Sequence, residues 1–234
     1  MYQTGLAALL FPLLLLAACQ TVSPPPEDSA VLAAPSGAGA TLSASAPRFV
    51  VDPGASEIRL LVYRAGPLAR FGHNHVIIGP ARGELRAGES AGSSGFRLEI
   101  PVESLAIDPP AARVEEGEEF ASEVSDQARQ GTRENMLGKD LLDAAHHPVI
   151  RIDSLALAGP RWNPTVLARA TLRGVTRELR FSAAVTQQGD QLTVIANFRV
   201  RQSDFGISPF ATLGGGLQVR DAIDIRIRLV ARSG

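Results

Sequence analysis

The stretch TVLARATLRGVTRELRFSAAVTQQGDQLTVIANFRV, residues 165–200, decides the fold. Val166, Ala168, Ala170 and Leu172 alternate with Arg169, Thr171 and Arg173. After a turn over Gly174-Val175-Thr176, Leu179, Phe181, Ala183 and Val185 alternate with Glu178, Arg180, Ser182 and Thr186. Gln188-Gly189-Asp190 turns the chain once more, into Leu192, Val194, Ala196, Phe198 and Val200. Successive side chains of a strand point to opposite faces, so this period of two marks strands with one apolar and one polar side. Three of them joined by glycine-containing turns predict consecutive antiparallel neighbours.

The pattern continues outward in both directions. Ile58, Leu60 and Val62 alternate with Glu57 and Arg59; Phe96, Leu98, Ile100 and Val102 alternate with Arg97, Glu99 and Glu103. The last strand sets Ile223, Ile225, Ile227 and Leu229 against Asp224, Arg226 and Arg228. Shorter candidates lie at 49–52, 70–78, 82–86 and 149–155. This register turns Ile58, Leu60, Val62, Ile100, Val194, Phe198, Ile225 and Ile227 inward, and Arg59, Glu99, Arg226 and Arg228 outward. Only Arg113 to Asp143 departs from period two. Its run of Glu115, Glu116, Glu118, Glu119, Glu123 and Asp126 reads as a solvated acidic loop. Residues 127–137 and 140–145 are helix-compatible, giving one or two short helices.

Eight or more alternating strands indicate an all-β protein, an antiparallel sandwich or a barrel, with a single apolar interior and a polar exterior. A barrel of about eight strands is either filled by its side chains or holds one slim ligand. Ala168, Ala170, Ala183 and Ala196 remove volume from the inner face and favour a channel. Phe181 and Phe198 are large enough to close it. Alternation alone leaves both outcomes open.

The chain's beginning is of a different kind. Residues 6–18 form an apolar run, shorter than the about 20 residues that span a bilayer and within the length of an export signal. Leu16-Ala17-Ala18-Cys19 resembles the lipobox of bacterial lipoproteins. The resemblance implies removal of residues 1–18 and acylation of Cys19, with Gln20 rather than Asp behind it favouring the outer membrane. From Gln20 to Pro47 the sequence is rich in Pro, Ser, Ala, Gly and Thr, which predicts a flexible tether over 19–47 before a domain at 48–234. A net charge of −1 over 234 residues offers no field for nucleic acid. Aromatic residues are 5% of the chain, so the core is mostly aliphatic. The lone Cys19 excludes an intrachain disulfide framework and a Cys₄ or Cys₂His₂ zinc site.

Four spaced motifs now support a comparison. His75 stands eight residues before Gly83-Glu84-Leu85. Arg133, Leu137, Asp140 and Asp143 are spaced as in a helix closed by Pro148. Ala170-Thr171-Leu172-Arg173-Gly174-Val175-Thr176 and Gln202-Ser203-Asp204-Phe205-Gly206-Ile207 follow, with Asp221 opening the last strand. In this order they resemble the YceI-like family of periplasmic lipid-binding proteins, over essentially 49–232. The resemblance implies a lipocalin-like antiparallel β-barrel whose channel takes a polyisoprenoid such as a polyprenyl phosphate or a quinone tail. Ala168, Ala170, Phe181 and Ala196 then join the inward positions as channel lining. His75, Arg133 and Asp140, with His73 and His147 close behind, stand at the mouth, either contacting a head group or pinning the helix across the barrel's end.

Catalysis is not the expectation. Gly138-Lys139 is followed by Asp140 rather than a hydroxyl residue, so there is no phosphate loop, and Gly92-Ser93-Ser94-Gly95 lacks the spacing of a nucleophile elbow. The alternative to a lipid binder is a metal-binding or redox-linked periplasmic protein using His73, His75 and His147. The expectation is that no cofactor beyond the bound lipid is required.

Overall fold

The computed structural model describes residues 45–234 and, before them, the pair Val31–Leu32. The strands are β1 (Val31–Leu32), β2 (Arg48–Val51), β3 (Glu57–Ala65), β4 (His75–Gly79), β5 (Arg82–Arg86), β6 (Gly95–Pro101) and β7 (Ala106–Ile107), then β8 (Val149–Ala158), β9 (Thr165–Leu172), β10 (Val175–Gln188), β11 (Gln191–Arg201), β12 (Ala211–Thr212) and β13 (Leu217–Ser233). Helices α1 (Pro110–Glu115) and α2 (Asp126–Leu137) interrupt them. Hydrogen bonding runs β10-β9-β8-β6-β5-β2-β13-β11 and returns to β10, a closed antiparallel barrel of eight strands. The choice between sandwich and barrel is thereby made: the fold is the lipocalin-like barrel.

Closure depends on the length of β13. One edge pairs with β11 from Ala222 to Arg232. The other carries two strands in succession, β3 along Gln218–Arg228 and β2 at Ala231–Ser233. At one end the wall is therefore completed by β2 and β5; at the other it continues through β3 and β4 to the short β7. The β9–β10 turn sits one residue earlier than the sequence suggests. Arg173 and Gly174 both have positive φ, 51° and 74°, while Val175 already pairs with Leu172. This is the geometry of a two-residue hairpin turn that matches strand twist.

Three local expectations are corrected. Residues 70–78 are not one strand: Ala69–Phe71 is a 3-10 turn and β4 begins only at His75. Residues 140–145 form turns, because Gly138 leaves the helix in an extended conformation and Asp143 has φ 47°. Most consequentially, the acidic segment is a cover as well as a solvated face: Glu115, Glu118, Glu119, Glu123 and Asp126 are exposed as expected, but Glu116 is turned in. Glu116, 4% exposed at its side chain, is paired with Arg59 and Arg226 at 2.7 Å each. Behind it Ala112 and Phe120 bury Leu61 and Val76 from the outside. The barrel wall at β3 and β4 thus has apolar residues on both faces, and the expected single interior becomes two cores.

Candidate functional site

Small inward residues and the curvature of an eight-stranded ring leave the barrel incompletely filled. Two cavities of about 300 and 250 Å³ occupy it, one toward Trp162 and one beneath α2. They share Ile152, Phe198 and Ile227 as a common wall. Phe181 stacks on Phe198 with ring centroids 4.4 Å apart, so the two phenylalanines form a waist. Both possibilities raised by the sequence are realised at once: the alanines open space, and the phenylalanines divide it.

The expected lining residues fall as follows. Ile58, Leu60, Val62, Ile100, Ala170 and Ile225 are on the wall of the lower chamber, beneath α2. Val194, Ala196 and Phe181 are on the wall of the upper one. Phe198 and Ile227 belong to both. Ala168 is fully buried but lies on neither wall. Of the charged and polar candidates, only His75 is on a chamber wall. Arg133 reaches out of α2 to the carbonyls of Leu105 and Glu103, at 2.7 Å each, and so ties the helix to the barrel. Asp140 is exposed. His147 packs over the β9–β10 turn, where a Cβ on Gly174 would lie 3.0 Å from its Cε1. Cys19 and residues 1–18 lie outside the described residues, as does most of the tether.

His75 brings a polar array through the wall. On β4, His75 and Ile77 face the lower chamber while Val76 belongs to the outer core. The His75 Nδ1 lies 2.7 Å from Asp108 Oδ2. Asp108 is fully buried; its Oδ1 accepts from the Val76 N–H at 2.9 Å and from Arg113 at 2.6 Å. Arg113, 5% exposed, also donates to the carbonyls of Asn74 and Ser122. Burial pushes the Asp108 carboxyl up, but the His75 hydrogen bond and charge, the Val76 N–H and Arg113 outweigh it and hold the group below the usual carboxylate range. An ionised Asp108 places the imidazole proton on Nδ1, leaving Nε2 as the remaining polar atom of His75. Beside it His73 meets the His75 ring edge-on at 4.6 Å, and its buried Nε2 has no hydrogen-bond partner among the described residues. Burial, then the neighbouring His75, lowers the His73 pKa.

Donor atoms of His73, His75 and Asp108 lie within 4.8 Å of one another, so the histidine cluster the structure assembles contains Asp108 and not His147. Asp108 Oδ1 already accepts from the Val76 N–H and from Arg113, so the groups that could hold a cation are Asp108 Oδ2, which His75 also contacts, and the two imidazoles. Asp108 and Arg113 were invisible to sequence reasoning. Asp108 sits in an irregular loop at φ 49°, and Arg113 stood at the edge of a segment that reads as solvated. The run Asp108-Pro109-Pro110 is the only local signal in the sequence.

The profile described as the YceI-like domain matches residues 49–231. No curated protein matches the chain. Among solved structures, Burkholderia cenocepacia BcnA is similar with a TM-score of 0.53 and 16% identity, over 77% of this chain and 98% of that one. The YCEI protein of Campylobacter jejuni aligns with a TM-score of 0.49 and 13% identity, over 66% of this chain and 81% of that one.

Proposed function

The chain belongs to the YceI-like domain family, and from that premise we propose that it is an envelope lipoprotein that binds a long apolar isoprenoid lipid, of polyprenyl phosphate or quinone type, in its barrel. The observation that carries this reading is the pair of apolar chambers that meet at a common wall of Ile152, Phe198 and Ile227, with Phe181 stacked on Phe198 as a waist. Each lies at or below the lower end of the roughly 300–1,000 Å³ typical of small-molecule sites, whereas the two together lie within that range. A slim chain threaded past the waist fits this shape better than a compact ligand. Transfer of apolar surface from water, at about 25 cal/mol per Å², supplies the affinity without any reacting group. The function is therefore binding rather than catalysis. The polar end of the ligand belongs in the lower chamber near His75, where Thr132, Asn135, Arg201 and Gln202 also reach the wall. Acylation at Cys19 would hold the domain on the periplasmic side of the outer membrane. The partners are the lipid ligand and the membrane, with no nucleic acid.

The test is mass spectrometry of organic extracts from protein purified out of bacterial envelopes. A stoichiometric isoprenoid is the expected result. A lipid-free barrel, or a compact polar ligand, overturns the reading. For the anchor, labelling with a palmitate analogue should mark the wild type and not Cys19→Ser.

A further inference from the structure

At the α2 end of the barrel two loops lie side by side. The loop before β4 carries the turn Ala69–Phe71, and the loop before β13 carries the turn Leu213–Gly215. The Leu68 N–H donates to the Gly216 carbonyl at 2.8 Å. A Cβ on Gly72 would stand 2.8 Å from Leu217 Cδ1, and one on Gly216 would stand 2.8 Å from Leu68 Cδ1, so the loops are in close contact. Their tips nevertheless leave large apolar side chains in water: Phe71 and Leu213 are each 68% exposed, and Phe210 is 38% exposed. Leu213 also has φ 53°, a conformation that side chains other than glycine rarely adopt. Neither burial nor backbone preference accounts for a leucine there.

Along the two loop segments themselves the charge has one sign. The sequence holds no Asp or Glu between Glu57 and Glu84, and none between Asp204 and Asp221. Arg64, Arg70 and Arg220 are exposed on these segments. Arg64 donates to the Gly72 carbonyl, Arg70 lies over the Phe71 ring at 4.5 Å, and Arg220 lies 5.5 Å from the Tyr63 ring centroid. Asp221, next to Arg220, is turned to the Ser203 N–H and hydroxyl at 2.8 and 2.5 Å. Phe210 is both exposed and part of the lower chamber's wall, so the apolar tips stand at that chamber's mouth.

We propose that this end of the barrel is a docking surface for an anionic lipid bilayer. Phe71, Leu213 and Phe210 enter the boundary between head groups and acyl chains, and Arg64, Arg70 and Arg220 meet the phosphates. Apolar tips ringed by arginines are the chemistry of interfacial binding, and contiguous exposed apolar side chains call for a partner. Docking turns the chamber mouth toward the membrane. The inference stands on the surface alone and does not depend on which ligand the barrel holds.

The test uses the full chain as Cys19→Ser with Leu213→Cys carrying an environment-sensitive fluorophore. Trp162, the only tryptophan, reports the opposite end. Vesicles of phosphatidylglycerol and phosphatidylethanolamine are compared with phosphatidylcholine alone. The probe at 213 should shift to the blue on the anionic vesicles and less on the neutral ones. High salt should reverse the shift, and Trp162 emission should stay constant. Phe71→Ser, at a residue on neither chamber wall, should weaken vesicle partition about tenfold, with melting temperature and co-purified lipid unchanged. An unshifted probe, a shift at Trp162 instead, or undiminished partition of the serine variant overturns the proposal. Retained lipid in that case leaves the ligand reading intact, while a lipid-free barrel that still docks does the reverse.

Discussion

Asp108 shows how one buried carboxylate organises a wall that is otherwise apolar. It neutralises Arg113, receives the Val76 N–H and fixes the orientation of His75, all without exposure to water. Replacing it by Asn keeps the volume but leaves the Arg113 guanidinium buried without a counter-charge. We expect Asp108→Asn to lose about 3–5 kcal/mol in denaturant melts, and Arg113→Met added to it to restore a large part. Additive losses in the double variant would contradict the pairing. His73 makes a second residue-level prediction. Its folded pKa lies below the ordinary 6.5, so as pH falls beneath 6.5 the unfolded chain takes up the proton first. Stability contributed by the neutral ring is present above that pH and drains away as pH falls toward the folded value. Burial sets this shift first, His75, Arg113 and Arg64 add to it, and Asp108 opposes it. His73→Gln should therefore show a smaller drop in melting temperature between pH 7.5 and 5.5 than wild type; an identical drop would assign the sensitivity elsewhere.

Among the elements, β11 sets the shape of the interior. Val194, Ala196 and Phe198 face inward in turn, so one strand opens the upper chamber and closes the waist below it. Phe198→Ala should join the chambers. Because the ring already borders space on two sides, the stability loss should lie near the lower end of the Phe→Ala range, about 3 kcal/mol. The mass spectrum of bound lipid should move to longer or bulkier chains, and an unchanged chain-length distribution would mean that the waist does not gauge the ligand. Ala196→Phe is the narrowing counterpart. Ala168→Phe, attractive from the sequence, would overpack the core instead, since Ala168 borders neither chamber. This difference shows what period two conveys. It identifies the inward face of β3, β6, β9, β10, β11 and β13, because burial of one face is a local and repeated demand. It cannot tell an inward residue that meets a cavity from one that meets a neighbour, which depends on the curvature of the closed ring. It also missed the outer core, because Leu61 and Val76 are covered by residues about 36–59 positions away in an irregular segment whose charges mask its packing. Asp108 escaped for the same reason: its partners are assembled by tertiary folding, with no spacing to announce them.

At the scale of the whole molecule, the eight-stranded ring has no edge to part, so opening it would break a ladder of hydrogen bonds between neighbouring strands; an edge beyond it, β7, closes off the β3–β4 extension at the α2 end. Access for a ligand is therefore through an end. The Trp162 end is rimmed by the β5–β6 and β8–β9 loops, each of which joins neighbouring strands of the ring. The α2 end is covered by a separate element, whose ties to the barrel include the two hydrogen bonds from Arg133 to the carbonyls of Leu105 and Glu103. Hydrogen bonds from a charged group are worth about 1.5–3 kcal/mol, and every 1.4 kcal/mol is about tenfold in a rate or equilibrium. Arg133→Ala should thus raise the release rate of a preloaded fluorescent isoprenoid into excess vesicles by about tenfold or more. The barrel itself, whose ladder does not involve Arg133, should keep its strand signal in circular dichroism. His75, on the chamber wall and not in the tie, should affect affinity instead: His75→Ala should change the equilibrium occupancy more than it changes the escape route. Release from Arg133→Ala at the wild-type rate would place the gate at the Trp162 end, and the surface ringed by Phe71, Phe210 and Leu213 would then lie at the end opposite to the gate. An accelerated release would join helix, chamber mouth and membrane surface at one end of the molecule, the arrangement under which a bound lipid reaches the bilayer with least exposure to water.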